Sequence, residues 1–403
     1  MDLYSGLPYW LIKNQLVNHY NPLKADMQVD VAIIGSGITG ALTAHELCRA
    51  GIDCAVFDKR MVATGSTAAS TSLLQYEIDV PLVDMERLLG TDVAVKAYQA
   101  SLQAITDIED VFNEVSYNPD FSRVSSIYLA SNKKGRRLLE SELVARQQYG
   151  LPVTWLDAEA LWEKHRLKAP AALKNTEAAQ MDCYRAATYL LHYHEQQHGL
   201  RVFSPTEIRG YQETKRGYDL VTADGFRIQS RYVVIAAGFE AGYFLPKKVM
   251  DLNSTYALIS QPVDEDQLWP ERSLIWETRK PYFYMRTTSD NRMMIGGADI
   301  SYKDADRRDR QLRAKVEQLK QQFGKIYPDI PFEVDMAWCG TFSTTKDGLP
   351  YIGSWSGKNR MFFALGYGGN GITFSMIAAQ VIKHILLGND DERIKIFGFD
   401  RSH

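Results

Sequence analysis

The sequence predicts an α/β chain in two interleaved parts, one wound from parallel strand–helix–strand units and the other, α+β in character, built on a separate sheet. Three observations lead there. Residues Val31 to Lys59 read VAIIGSGITGALTAHELCRAGIDCAVFDK, a strand, glycine turn, helix and second strand in immediate succession. At 403 residues the chain exceeds one simple core and suits two domains of ordinary size. A strand-rich block, Ser254 to Gly297, lies far from the first unit and carries Tyr282, Phe283, Tyr284 and Met285.

Each part of the first unit has a physical job. Val31 to Ile34 form a short apolar strand, which turns through Gly35-Ser36-Gly37-Ile38-Thr39-Gly40 into a helix ending at Gly51. Gly35 permits the tight turn, Gly37 lets backbone approach a pyrophosphate, and Gly40 lets helix and strand pack closely. The helix N-terminus then presents N–H groups to phosphate. A second strand, Cys54 to Phe57, delivers Asp58, placed to accept hydrogen bonds from a ribose. Strand, turn, helix, strand and acid in this order make a Rossmann-like dinucleotide-binding fingerprint.

The small-residue stretch Thr64 to Ser72 (TGSTAASTS) follows, and behind a nucleotide-binding unit it predicts a loop wrapped around a phosphate or a ring. Val83 to Val115 is helical, with Val93, Ala97, Leu102, Ile105, Ile108 and Val111 near 3.6-residue spacing. Ser125 to Leu129 is strand-like, and Lys134 to Tyr149 is a charged helix stopped by Gly150. Tyr184 to Gly199 is helical and Val202 to Ile208 a strand. A hairpin, Tyr218 to Val221 and Arg227 to Gln229 around Asp224-Gly225, precedes a buried strand, Tyr232 to Gly238. Asp309 to Phe323 is an amphipathic helix. Last come Asp347 to Gly353, a strand Met361 to Leu365, the loop Gly366 to Gly371, and a helix Ile372 to Leu387 capped by Gly388.

Composition excludes several classes. Hydrophobic residues make up 45% and charged residues 24%, and a net charge of −3 without a Lys/Arg cluster interleaved with aromatics gives no case for nucleic acid. No apolar run approaches the length of a transmembrane helix, and MDLYSGLPYWLIKNQ lacks the regions of a secretory signal, so a cytoplasmic protein is expected. Cys48, Cys54, Cys183 and Cys339 form no C-x-x-C pair, which argues against a disulfide framework or zinc knuckle. His194-Glu195-Gln196-Gln197-His198 matches the H-E-x-x-H zinc pattern, but Gly199 stops the helix at once and no third ligand follows. A solvated helix end is expected, with no metal. Cys339 reads as a buried small residue rather than a flavin tether or nucleophile. Alternation puts Tyr282, Tyr284 and Arg286 on one strand face, and a guanidinium there must meet solvent, a carboxylate or a ligand.

Together the fingerprint, the Gly65 to Leu74 stretch, Ala236-Ala237-Gly238, Thr345 to Gly353 and Ala364 to Ile372 resemble the D-amino-acid oxidase-like family of FAD-dependent oxidoreductases, which holds glycine oxidase, sarcosine oxidases and gamma-glutamylputrescine oxidoreductase. The resemblance runs from about Asp30 to about Arg401, and PYWLIKNQ looks most like the gamma-glutamylputrescine branch. It implies an FAD-binding domain (1–80, 170–250 and 340–403) interleaved with a mostly antiparallel substrate domain (81–169 and 251–339), the flavin ring between them. Carried over, Gly35, Gly37, Ile38, Thr39, Gly40, Asp58 and Lys59 would hold the ADP half of FAD. Ser66, Thr67, Thr71, Ser72 and Leu73 would line the pyrophosphate and flavin, Ile208 would offer backbone to adenine, and Ala237 and Gly238 would sit by the diphosphate. Gly366, Tyr367, Gly368, Gly369, Asn370, Gly371, Ile372 and Thr373 would pass the pyrimidine edge of the ring. There a helix N-terminus suits the negative charge that arrives with hydride.

Departures from the family shape the expected chemistry. Phe342 stands where glycine oxidase has a carboxylate-binding arginine, Gly369 where a second family arginine stands, and Thr373 where sarcosine oxidase has a lysine for the substrate carboxylate. Met294 replaces the lysine that activates oxygen in sarcosine oxidase. The resemblance thus implies oxidation of a C–N bond by hydride transfer to flavin N5, then imine hydrolysis, on an amine or an amino acid shifted toward an amine or a bulkier N-substituted substrate. Oxygen or an electron acceptor would complete the cycle. Tyr256, Tyr284 and Arg286 are the expected substrate residues, Arg286 meeting an anionic group; no catalytic base is named. The alternatives are an FAD dehydrogenase of the 2-hydroxy-acid or glycerol-phosphate type, and a flavin-binding scaffold subunit that needs a partner.

Overall fold

Strand Met27–Ile34 lies at the centre of a sheet because its second half, Val31 to Ile34, is buried on both faces, as that apolar run requires. Val31 and Ile33 point into one hydrophobic cluster, Ala32 and Ile34 into another. The computed structural model describes residues 2–16, 19–301, 304–355 and 357–401. In this nucleotide sheet, Cys54–Phe57 and then Arg201–Phe203 lie on one side of the central strand, Arg227–Ile235 and then Met361–Leu365 on the other, all parallel. Tyr351–Ser354 closes that edge antiparallel. Helices Ile38–Arg49, Cys183–His198 and Gly371–Leu387 pack side by side over the first face, where Thr91–Glu114 joins them.

The second sheet runs in the order Tyr4–Gly6, Val334–Thr344, Asp251–Ser260, Met293–Ile300, Phe283–Thr287, Leu274–Glu277, Ser122–Leu129, Ala171–Gln180 and Leu73–Leu74, with Thr154–Asp157 also paired to Ala171–Gln180. Its pairings are antiparallel except that of Leu274–Glu277 with Ser122–Leu129. Helix Ala305–Ile326 covers one face. No described helix is long and apolar enough to cross a membrane.

Several boundaries differ from the sequence expectation, each for a local reason. The helix expected over 83–115 is two, Leu82–Leu89 and Thr91–Glu114, broken where Gly90 takes φ 84°. The strand expected over 202–208 stops at Phe203 before Pro205, which has no N–H to give a ladder, and Ile208 opens a different strand, Ile208–Glu213. Arg227–Ile235 is one strand rather than a hairpin arm and a separate buried strand; its first residues pair with Tyr218–Thr222, and its whole length pairs with Met27–Ile34. Residues 171–180, 73–74 and 4–6, expected within the FAD-binding domain, are strands of the second sheet. Helices Leu82–Leu89 and Thr91–Glu114, expected in the substrate domain, share a core cluster with Val31 and Ile38.

Candidate active site

A cavity of about 650 Å³ is lined from both sheets, within the range of small-molecule and cofactor sites. One end is the fingerprint. Gly35 takes φ 114° and donates its N–H to Phe57 O at 2.8 Å, and a Cβ there would meet Ala236 O at 2.3 Å. A Cβ on Gly37 would lie 2.8 Å from Thr67 Oγ1, so a side chain has no room where the helix begins. Asp58 accepts from Ser36 N–H at 2.8 Å, Ser36 O–H at 2.7 Å and Arg60 N–H at 2.8 Å. Burial raises its pKa and these bonds oppose the rise, so the carboxylate both orders the glycine turn and faces the cavity. Lys59 and Arg60 each pair with Glu240 at 2.7 Å. Burial acts to raise the Glu240 carboxyl, but the bonds from Arg60 and Lys59 outweigh it and hold the value down at about 2.

The Ser/Thr/Ala stretch forms the next wall, including the short helix Ser66–Ala69, and its carbonyls are held from outside. Trp338 Nε1 donates to Ala69 O at 2.9 Å and Trp10 Nε1 to Ser70 O at 2.6 Å. Arg286 donates to Thr71 O at 3.2 Å and Ser72 O at 2.9 Å, and also to Met181 O and Thr287 O. Burial depresses the Arg286 pKa to about 10, still far above neutrality, so it remains a cation among carbonyl dipoles, with Trp10's ring 5.6 Å away. Ser72 sits at φ 57°, a strained backbone that this clamp fixes.

Across the cavity stand Trp276, Tyr282, Tyr284, Thr255 and Asp299 from the second sheet, with Asp79 from the loop before helix Leu82–Leu89. Asp79 accepts from Gly369 N–H at 2.8 Å and Tyr282 O–H at 2.9 Å, joining the glycine loop to the sheet. Asp299 faces the cavity because of a β-bulge. Ser254 pairs with Ile300 but Tyr256 pairs with Gly297, so the Met293–Ile300 strand carries one extra residue, with Gly297 at φ 131° and Ala298 at φ 55°. Regular alternation would have sent Asp299 to the far face with Ile295; the extra residue reverses the parity. Asn370 ties its helix to the same wall, donating to Gln75 O at 3.1 Å and Glu77 O at 2.8 Å.

Most of the expected cofactor residues line this one cavity: Gly35, Gly37, Ile38, Thr39, Asp58, Lys59, Ser66, Thr67, Thr71, Ser72, Leu73, Ile208, Ala237, Gly238 and Tyr367 to Ile372. Gly40, Gly366 and Thr373 stand behind the wall. Gly40 gives the close helix approach, since a Cβ would be 1.9 Å from Gly35 O; Gly366 turns the chain at φ 82°; Thr373 is buried and donates to Asn370 O. Of the substrate residues only Tyr284 lines the cavity. Tyr256 points to the opposite face, where its hydroxyl donates to Arg308 O, and its neighbour Thr255 takes the cavity position. Arg286 is on the expected face but lies behind the cavity wall, its Nε and Nη1 bonded to main-chain carbonyls, so it holds backbone rather than an anion in the cavity. Arg279 is exposed and pairs with Glu277. His194 is buried against His45 at 2.9 Å rather than solvated, because its face of the helix end lies over the core, while His198 of the same pair reaches solvent. Asp79 and Asp299 were missed; Gly296-Gly297-Ala298 was the available signal for a bulge at the second.

Residues 30–385 match the family of FAD dependent oxidoreductases. The chain belongs to that family. It is an enzyme of the flavoprotein oxidoreductase class, and its cofactor is FAD, which the side-chain-free glycine turn and the cavity-lining carboxylate of Asp58 fit. The chain is 24% identical to gamma-glutamylputrescine oxidoreductase of Escherichia coli K12 over 94% of its own length and 89% of the relative's. It is 26% identical to glycine oxidase of Geobacillus kaustophilus, covering 89% and 92%. The crystal structure of glycine oxidase from that organism superposes with a TM-score of 0.78 at 21% identity, covering 93% of this chain and 99% of the other. The FAD-bound L-alpha-glycerophosphate oxidase of Mycoplasma pneumoniae superposes at 0.75 with 15% identity, covering 89% and 95%.

Proposed function

We propose that this enzyme oxidises a C–N bond of a small amine or amino acid, giving an imine that water hydrolyses to a carbonyl compound and a free amine. One observation carries the reading: a single cavity runs from the dinucleotide cradle to a wall of rings and hydroxyls that can surround a small substrate. Relatives bearing the names glycine oxidase and gamma-glutamylputrescine oxidoreductase support it. Bound FAD supplies the hydride acceptor. The chain's part is to place and shield the reacting carbon. The clamped Ala69–Ser72 segment and the Asn370-anchored helix start would fix the cofactor, while Tyr282, Tyr284 and Trp276 exclude water from the opposite side. Reoxidation would fall to oxygen or another electron acceptor, and a cytoplasmic setting accords with four buried free cysteines.

The fold shared with L-alpha-glycerophosphate oxidase suggests a hydroxy substrate as the second reading. The lining disfavours it. Its described cations, Lys59, Arg60 and Arg209, come from the nucleotide half, and none comes from the second sheet to hold the phosphate of such a substrate. Anaerobic bleaching of the purified flavoprotein with a panel of amines, N-methyl amino acids, D-amino acids and hydroxy acids decides between them. Bleaching by amines or amino acids is expected; bleaching by hydroxy acids alone would replace the proposal with the second reading.

A further inference from the structure

The second-sheet end of the cavity has an unusual charge balance for a site that takes amino acids. Among the described residues its charged lining groups are carboxylates, Glu77, Asp79 and Asp299, of which Glu77 is paired with Arg146, and its bulk is three aromatic rings, Trp276, Tyr282 and Tyr284. The Trp276 and Tyr282 rings meet edge to face at 6.3 Å, and those of Tyr282 and Tyr284 lie tilted at 5.9 Å. Ring faces beside carboxylates attract a cation and repel a carboxylate. Resting on the function proposed above, we infer that the substrate enters as a protonated alkylamine with no carboxylate beside the reacting nitrogen, and that Asp299 binds this ammonium and takes its proton.

The two carboxylates are not equivalent. Both oxygens of Asp79 are engaged, by Gly369 N–H and Tyr282 O–H, which makes it a strut between the glycine loop and the sheet. Asp299 Oδ1 is buried with no hydrogen-bond partner among the described residues. Thr255 bonds the Asp299 carboxylate, which leaves Oδ1 as a spare acceptor on a side chain that lines the cavity. Lys315 faces it from helix Ala305–Ile326 but donates to Gln318. The bulge at Gly297-Ala298 is a costly way to turn one side chain, and what it turns inward is this carboxylate. Burial lifts Asp299 to about 6; the Thr255 hydrogen bond moderates the rise, the Asp79 charge adds to it and Lys315 offsets part. Tyr282 and Tyr284, the other titratable groups facing it, have pKa values raised by burial and are neutral over this range.

An amine must lose its N–H proton before the C–H bond breaks, because the nitrogen lone pair becomes the second bond of the imine. The proton goes from ammonium to the Asp299 carboxylate, giving neutral amine and carboxylic acid. The C–H electron pair then leaves as hydride to bound FAD, as proposed above. Hydrolysis of the resulting iminium returns a carbonyl compound and an ammonium ion, so charge and electrons balance.

The test uses the FAD-loaded enzyme and two probes of one shape. tert-Butylammonium has no C–H beside nitrogen and binds without reacting; pivalate is its anionic counterpart. Calorimetry should find tert-butylammonium binding at neutral pH and pivalate not. Asp299→Asn should weaken tert-butylammonium by about 10- to 100-fold, as expected on losing a charge-assisted hydrogen bond. In anaerobic flavin reduction by a simple alkylamine, wild type should show a limb rising through about pH 6. Asp299→Asn should lose that limb and regain speed as pH approaches the amine's own pKa; Asp299→Glu should restore the limb in part. Pivalate binding more tightly than tert-butylammonium, or N-alkylglycines bleaching the flavin where alkylamines do not, overturns the inference and leaves the proposed function standing. An unchanged limb and affinity in Asp299→Asn removes Asp299 from the role. A flavin bleached by neither amines nor amino acids overturns the proposed function itself. The probe comparison needs no variant, so it decides even if Asp299→Asn does not fold.

Discussion

Replacing Arg286 by Ala removes the donor that holds the carbonyls of Thr71, Ser72, Met181 and Thr287 at 2.9 to 3.2 Å. A buried acceptor stripped of a charged donor loses about 1–3 kcal/mol, but these losses do not add, because water can enter the vacated volume. A net cost of about 3 kcal/mol follows. Thr71 and Ser72 line the cavity beside the strained Ser72 backbone, so roughly half should appear as weakened cofactor binding, a tenfold or greater rise in the FAD dissociation constant. Arg286→Lys keeps the charge without the planar fork and should fall between. Titrating apoprotein with FAD, followed by quenching of flavin fluorescence, measures the effect directly. The reasoning is refuted if FAD affinity and unfolding midpoint are unchanged while the half-saturating substrate concentration rises ten- to a hundredfold, since the guanidinium would then be serving the substrate.

Gly37→Val puts a side chain where Cβ alone meets Thr67 Oγ1 at 2.8 Å, and should give folded protein devoid of flavin; normal FAD content would sink the cradle. Glu240, held at about 2 by Arg60 and Lys59, contributes stability that is fully present above an unfolded carboxyl value of about 4.3 and drains away as pH falls toward 2. Glu240→Gln should therefore flatten the acid-unfolding curve across that interval, and an identical curve would mean the ion pairs contribute nothing. His194→Ala should cost about 1–3 kcal/mol by leaving His45 Nδ1 buried without its partner, whereas exposed His198→Ala should cost little. Stoichiometric zinc, lost when both are replaced, would reinstate a metal site.

What the sequence disclosed follows from the range of each interaction. The fingerprint is legible because its physics is local: a turn only glycine makes, a packing contact only glycine allows, and an acid at a strand end, all within 28 residues of Val31. Strand Ala171–Gln180 was invisible because AALKNTEAAQ has no clean alternation, and without it the second sheet could not be bounded. Tyr256 is an expected substrate residue that faces the other way, because parity along its strand gives the cavity to Thr255. The rule that a guanidinium on an apolar face needs a partner was sound for Arg286. It omitted main-chain carbonyls brought from Thr71 and Met181, over 100 residues away, which local pattern cannot reveal.

Those long-range contacts also bear on how the two halves cooperate. Arg286, Trp338 and Tyr282 belong to the substrate half, yet each holds a segment that would carry the cofactor: Arg286 and Trp338 grip the Ala69–Ser72 carbonyls, and Tyr282 reaches Gly369 through Asp79. Tyr282 is at once a wall of the substrate end and a strut of the glycine loop. On the function proposed above, substrate packed against Tyr282 would press on a side chain already bonded to the glycine loop's support. Positioning of the reacting carbon would then be a property of this shared framework rather than of either sheet alone. What the second sheet turns inward is therefore the part free to vary without disturbing that framework, and in this chain a one-residue bulge turns inward a carboxylate.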